Sequence, residues 1–177
     1  MHDGGRWVFG YGSLIWRPAF PHLERRAACV RGFARRFWQG SPDHRGVGEA
    51  PGRVLTLVPE PEALCWGVAY RVGAAAWDEV LTILDARESG GFERRSLEIG
   101  FDADGGARVP ALTYVAEPGN PNFLGPAPLA AIAAQIRGAC GRSGSNRDYA
   151  LQVAAALREL EVGDAHVFAV AELLAEP

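Results

Sequence analysis

The chain contains no lysine; all 18 of its Lys/Arg-type cations are arginine. Catalysis through a lysine Schiff base is therefore excluded, and the bias itself reads most simply as codon usage in a GC-rich genome. Cysteine is scarce as well. Cys29, Cys65 and Cys140 are odd in number and far apart, without the paired spacing of a disulfide framework or a zinc site. A reduced, cytoplasmic compartment is expected. The four histidines, His2, His22, His44 and His166, form no ligand pair at helical spacing, so no metal site is expected. No apolar run reaches the length of a membrane span. Met1–Arg6 lacks the basic-then-apolar pattern of a signal peptide. A net charge of −3 and a pI of about 5.8 leave no electrostatic footprint for nucleic acid.

What is present suffices for a packed core. With 177 residues, 48% hydrophobic and 10% aromatic, one domain over 1–177 is the natural expectation. The first two-thirds read as strands: Trp7–Phe9, Ala28–Gln39, Arg53–Val58 and Leu64–Val72, with Pro59-Glu60-Pro61-Glu62 turning between the last two as a hairpin. Ala74–Ala86 switches to helical spacing, with Trp77, Val80, Leu81 and Leu84 on one face. Phe92–Ile99 and Val109–Val115 form an antiparallel pair in which Pro110 points to an edge. Helices follow at Leu129–Ala139 behind Pro128, from a cap at Asn146 to Glu159, and from a cap at Asp164 through Leu174. Strands first and helices later define an α+β fold with a mixed, mainly antiparallel, barrel-like sheet and flanking helices.

Two stretches stand out chemically. Trp7-Val8-Phe9-Gly10-Tyr11-Gly12-Ser13-Leu14-Ile15-Trp16 begins as a strand and changes character at its glycines. Gly10 and Gly12 can take φ > 0 and admit close approach of a ligand, and consecutive amides in such a turn can bind an anion. The run is either a cradle for a carboxylate or phosphate, or a tight turn between core segments. It lacks the third glycine of a dinucleotide fingerprint. Gly141–Ser145 has no lysine and is no phosphate loop, and Ser143 fails the nucleophile-elbow pattern. The second stretch is Leu84-Asp85-Ala86-Arg87-Glu88-Ser89-Gly90-Gly91. Arg87 is a favourable cation at a helix C-terminus and needs no further role, whereas Glu88 opposes the helix dipole there. It is a solvated surface acid or a functional one. A carboxylate base facing an amide nest suits an amino-acid-like substrate, whose amine gives up a proton and whose oxygens meet amides.

These residues resemble the ChaC family of glutathione-specific γ-glutamylcyclotransferases. The shared blocks span nearly the whole chain: residues 7–16, Arg-Arg-Phe-Trp-Gln-Gly-Ser at 35–41, Asp-His-Arg-Gly at 43–46, Pro-Gly-Arg-Val at 51–54, Cys-Trp-Gly-Val-Ala-Tyr-Arg at 65–71, Arg-Glu-Ser-Gly-Gly-Phe at 87–92, Asn-Phe-Leu-Gly-Pro-Ala-Pro-Leu at 122–129 and Ser-Gly-Ser-Asn-Arg-Asp-Tyr at 143–149. Ser89 and Phe92 stand where the family often has Lys and Tyr. The resemblance implies the γ-glutamylcyclotransferase-like fold, Glu88 as general base, and release of 5-oxoproline and Cys-Gly without a cofactor. It implies that Val8, Phe9, Gly10, Tyr11, Gly12, Ser13 and Leu14 hold the γ-glutamyl group, with Tyr149 and Arg45 as further substrate contacts, Arg45 toward the glycine carboxylate. Glutathione is the expected partner, with no nucleic acid and no membrane, in a monomer or homodimer. The alternatives are a cyclotransferase for other γ-glutamyl amino acids or amines, and a non-catalytic regulator of cation transport.

Overall fold

The computed structural model describes residues 5–176, so the signal-peptide reading of Met1–Arg6 and the position of His2 lie largely outside it. Among the described residues seven strands and four α-helices follow one another as β1 (Arg6–Gly10), β2 (Glu24–Ser41), β3 (Gly52–Val72), α1 (Trp77–Arg87), β4 (Glu93–Gly100), β5 (Arg108–Val115), α2 (Leu129–Gly138), β6 (Cys140–Gly141), β7 (Gly144–Ser145), α3 (Asn146–Glu159) and α4 (Ala165–Ala175). The chain forms two compact units, one from the residues up to Ala34 with Pro59–Val115, the other from Arg35–Val58 with Ala116 onward.

In the first unit the strands close a barrel in the order β1-β3-β2-β4-β5. β1 runs antiparallel to β3, with Gly10 opposite Val68, and β4 antiparallel to β5, with Leu97 opposite Ala111. A short parallel contact, Trp7 to Ala111 and Val8 to Leu112, completes the ring. The sheet is mixed and mainly antiparallel, as expected. Closure removes free edges, which corrects the edge placement of β5. Pro110 is tolerated because the contact with β1 begins one residue after it, where its missing N–H costs no ladder bond. The expected hairpin at Pro59–Glu62 is also corrected. β3 continues through these residues as one strand of 21, and all four are exposed. Their composition reflects a solvent-facing stretch, where prolines interrupt nothing, rather than a reversal. α1 buries Trp77, Val80 and Leu84, three of the four residues expected on its inner face.

In the second unit α2, α3 and α4 pack on one another, burying Ile132, Ile136, Val153, Leu157, Val167, Val170 and Leu174. Full burial of each such side chain stabilises by about 1.5–3 kcal/mol. Asp164 caps α4 as expected, accepting from the Val167 amide at 3.0 Å, and its other oxygen takes Arg35 Nε at 2.7 Å. Arg35 is only 1% exposed, so this ion pair satisfies a charge that burial would otherwise penalise heavily. The cap of α3 differs from expectation. Ser145 accepts from the Asp148 amide at 3.0 Å, while Asn146 is buried and bonds the amide and carbonyl of Arg53 at 2.7 and 2.8 Å. No helix among the described residues is long and apolar enough to cross a membrane.

Candidate active site

The turn after β1 belongs to the first unit. Val8 and Phe9 are fully buried, so of the expected substrate contacts these two offer only backbone, and the Phe9 carbonyl already accepts from Thr113 Oγ1 at 2.9 Å. A Cβ placed on Gly10 would stand 2.4 Å from Leu14 Cβ. The expected left-handed glycines are not found at this turn: Gly10 and Gly12 are absent from the positive-φ residues, and Gly12 lies at φ −124, ψ −127. Close approach of the chain to itself, rather than handedness, demands glycine at position 10.

Ser13–Ile15 then form a single 3₁₀ turn, closed by Ile15 N–H donating to Gly12 O at 3.0 Å. The leading amides of such a turn have no partner within it, and those of Ser13 and Leu14 donate to no carbonyl among the described residues. Two tyrosines brace the segment. Tyr70 OH donates to Leu14 O at 2.6 Å and to Ile15 O at 3.2 Å; burial pushes its pKa up, keeping it a neutral donor. Tyr11 OH donates to Tyr114 O at 2.7 Å, committing that hydroxyl to the fold.

Glu88 closes α1. Its amide donates to Leu84 O at 2.8 Å, and its backbone leaves the helix at φ −89, ψ 59. Gly90 and Gly91 follow at φ 80 and 111, left-handed values that glycine adopts without a Cβ penalty, so the chain can reverse into β4. The Glu88 side chain is only 19% exposed. Burial pushes its carboxyl pKa up, and the neighbouring Arg87 charge pulls the other way. The carboxylate is therefore largely desolvated, and burial favours its protonated form.

Arg87 corrects the sequence reading, which gave it no role beyond the helix dipole. Its Nη2 donates to Ser13 Oγ at 2.8 Å, its Nη1 to Pro18 O at 3.1 Å and to Arg17 O, and its Nε lies 3.6 Å from Glu88 Oε1. One guanidinium thus reaches both chemically interesting stretches. Nothing local signalled this, because Ser13 lies 74 residues earlier.

Arg45 and Tyr149 belong to the second unit and meet each other there. The Arg45 guanidinium lies 5.2 Å from the Tyr149 ring centroid, within cation–π range, and its Nη1 donates to Ser143 O at 2.7 Å and Ser145 O at 3.3 Å. Tyr149 is 6% exposed and accepts the Leu55 amide at 3.4 Å. Ser143 Oγ also lies 2.9 Å from His44 Nδ1. That contact is no nucleophile–base pair. Arg142 N–H can only donate and lies 3.1 Å from His44 Nε2, so in the neutral ring Nδ1 carries the proton and faces the serine as a donor.

The closed five-stranded barrel, with a buried acid at the end of α1 and a tight turn after β1, is that of the γ-glutamylcyclotransferase-like fold. The crystal structure of a yeast γ-glutamyl cyclotransferase specific to glutathione superposes with a TM-score of 0.91 at 29% identity, covering 96% of this chain and 95% of that one. The ChaC-like protein family model matches residues 6–176, and the chain belongs to that family. It is 47% identical over 152 residues to human glutathione-specific γ-glutamylcyclotransferase 1, covering 84% of this chain and 68% of the human protein. To the zebrafish protein of the same name it is 41% identical over 174 residues, covering 96% and 89%.

Proposed function

We propose that this protein is a glutathione-specific γ-glutamylcyclotransferase in which Glu88 is the general base. One observation carries the reading: the Glu88 carboxylate at the end of α1 is desolvated and lies beside Arg87, which also bonds the turn after β1. The relatives named above, glutathione-specific by name, support the choice of substrate.

The chemistry follows from the groups present. A free α-ammonium group has a pKa of roughly 7.7–8.0, so at neutral pH it is mostly protonated and cannot attack. Glu88 takes one proton from it. The amine nitrogen then attacks the γ-carbonyl carbon of the same glutamyl residue, forming the C–N bond of a five-membered lactam. The attacking nitrogen sheds a second proton as the lactam forms and the amide bond to cysteine breaks; both protons end on the departing nitrogen, with Glu88 as the relay, and Cys-Gly leaves with its ammonium group restored. Nucleophile and electrophile share one residue, so the protein's share is to bend the glutamyl chain. The leading amides of Ser13 and Leu14, next to Gly12, are the donors we assign to it, acting on a carboxylate or the developing oxyanion. Val8, Phe9 and Gly10 serve by carrying this turn, and Tyr11 by bracing it. On the family resemblance Tyr149 remains a proposed hydrogen-bond contact to the substrate and Arg45 a proposed contact to its glycine carboxylate. The family model runs through both compact units, which supports treating them as one functional domain. A cytoplasmic location and a monomeric or homodimeric state accompany this reading.

The test is product analysis with purified protein offered glutathione, γ-Glu-Ala and a γ-glutamyl amine. Stoichiometric 5-oxoproline and Cys-Gly from glutathione, with little turnover of the others, is the expected result. Turnover of the other two alone refutes the substrate assignment, and full activity in Glu88→Gln refutes the base.

A further inference from the structure

We infer that Arg87 is a positioning residue, whose guanidinium fixes the Glu88 carboxylate against the turn at Ser13. The inference rests on Glu88 being the base.

The geometry separates this arginine from an ordinary helix-end cation. Such a cation meets the last carbonyls of its own helix. Arg87 instead donates to Ser13 Oγ, Pro18 O and Arg17 O, all on the segment that follows β1, and keeps Nε beside Glu88. All three of its nitrogens are used, on partners spread along six residues of the turn segment and the base itself. Only the planar fork of arginine can span such a set; a lysine ammonium is a single point of donation. The side chain is 22% exposed, so the contacts are less screened than those of a surface pair.

The unequal lengths of these contacts matter. The bond to Ser13 is short at 2.8 Å, which pins the residue whose amide leads the 3₁₀ turn. The approach to Glu88, at 3.6 Å, is too long for a hydrogen bond. It attracts the carboxylate without occupying its lone pairs, which stay available to an incoming ammonium. Arg87 therefore holds base and turn at a set separation while leaving the base free to work. Its charge also opposes the effect of burial on Glu88; among the described residues it is the charged group acting on that carboxyl. Ser13 completes the device from the other side as the acceptor that orients the fork.

The experiment is the pH dependence of 5-oxoproline release from glutathione by wild type, Arg87→Gln, Arg87→Lys, Ser13→Ala and Glu88→Gln, with circular dichroism to follow folding. Arg87→Gln is expected to lower kcat by about 10- to 100-fold, the scale of a displacement near 1 Å, with a smaller change in KM, and to move the acid limb of the profile to higher pH. Arg87→Lys restores the limb to its wild-type position, because the charge returns, yet recovers only part of kcat, because the fork does not. Ser13→Ala lowers kcat without moving the limb. Wild-type kcat and an unmoved limb in Arg87→Gln overturn the inference, as does activity lost only in proportion to folded protein. If Arg87→Gln does not fold, full kcat in both Arg87→Lys and Ser13→Ala overturns it. Activity retained in Glu88→Gln refutes the base assignment instead; an inactive Glu88→Gln beside unaffected Arg87 variants refutes the positioning role alone.

Discussion

Tyr114 on β5 donates its hydroxyl to Asp85 Oδ1 on α1 at 2.6 Å. Arg94 on β4 donates to the same carboxylate through Nε at 2.8 Å and through Nη2. Both contacts pull the Asp85 carboxyl below its usual pKa; burial first and then the Asp85 carboxylate push the Tyr114 phenol up, with Arg94 opposing them. Three elements of the barrel unit are thereby pinned one turn before Glu88. Removing the phenol in Tyr114→Phe should cost about 1 kcal/mol, the ordinary worth of one hydrogen bond, and lower kcat several-fold by loosening the helix end. Denaturant melts and steady-state kinetics on the same preparation check both.

Glu88→Gln should be more stable than wild type at neutral pH while losing activity by about 10²–10⁴-fold, the usual contribution of a general base. The sign follows from the raised carboxyl pKa. The folded state binds its proton more tightly than the unfolded chain does, so stability from this group is present at low pH and lost as pH rises through the raised value. Every tenfold difference in proton affinity between the two states is worth about 1.4 kcal/mol. The gap in Tm between variant and wild type should be widest at pH 7–8 and close toward the pH where Glu88 is protonated. A Glu88→Gln protein that melts lower than wild type at neutral pH contradicts this.

Much of this site was legible in the chain, and the parts that were not share a cause. Glu88 was conspicuous because a carboxylate before two glycines opposes the helix dipole, a conflict visible without coordinates. The turn after β1 was visible through Gly10, although its glycine requirement is steric contact with Leu14 Cβ rather than positive φ. Arg87 was misjudged because its neighbours in sequence already account for it, while its partners lie at 13–18. The cap at Ser145 was displaced by one residue onto Asn146 because both residue types cap helices well, and only the Arg53 backbone decides which is free to do so. The Pro59–Glu62 stretch carries every local mark of a turn, yet strand continuity is set by what lies beside it.

Gly10→Ala should be costly out of proportion to one methyl group. The new Cβ would sit 2.4 Å from Leu14 Cβ, so the 3₁₀ turn must move. Overpacking of this kind costs about 1–3 kcal/mol. KM for glutathione should rise more than in Tyr114→Phe, since the displaced amides are those assigned to the substrate. Unchanged KM in a folded Gly10→Ala protein speaks against that assignment.

The second unit carries its own acid sensitivity. His166 accepts the Phe37 amide on Nε2 at 3.1 Å and packs beside the Phe37 ring at 5.7 Å. Burial, with Arg36 adding to it, pushes its pKa down to about 4. Because the unfolded chain binds this proton more readily, stability should fall as pH drops from about 6.5 to about 4, by on the order of 2 kcal/mol once partial exposure is allowed for. His166→Gln, which keeps an acceptor for Phe37, should flatten the urea-melt profile across that window.

β2 and β3 each cross the boundary between the two compact units at its chain positions, Ala34 to Arg35 and Val58 to Pro59. Neither unit is therefore a contiguous stretch of polypeptide. No single pair of termini can excise one of them, and a gene cut at any one point yields two pieces that cannot each hold one whole unit. Such a chain is not two modules joined end to end, and a change in the length or register of β2 or β3 bears on both units at once.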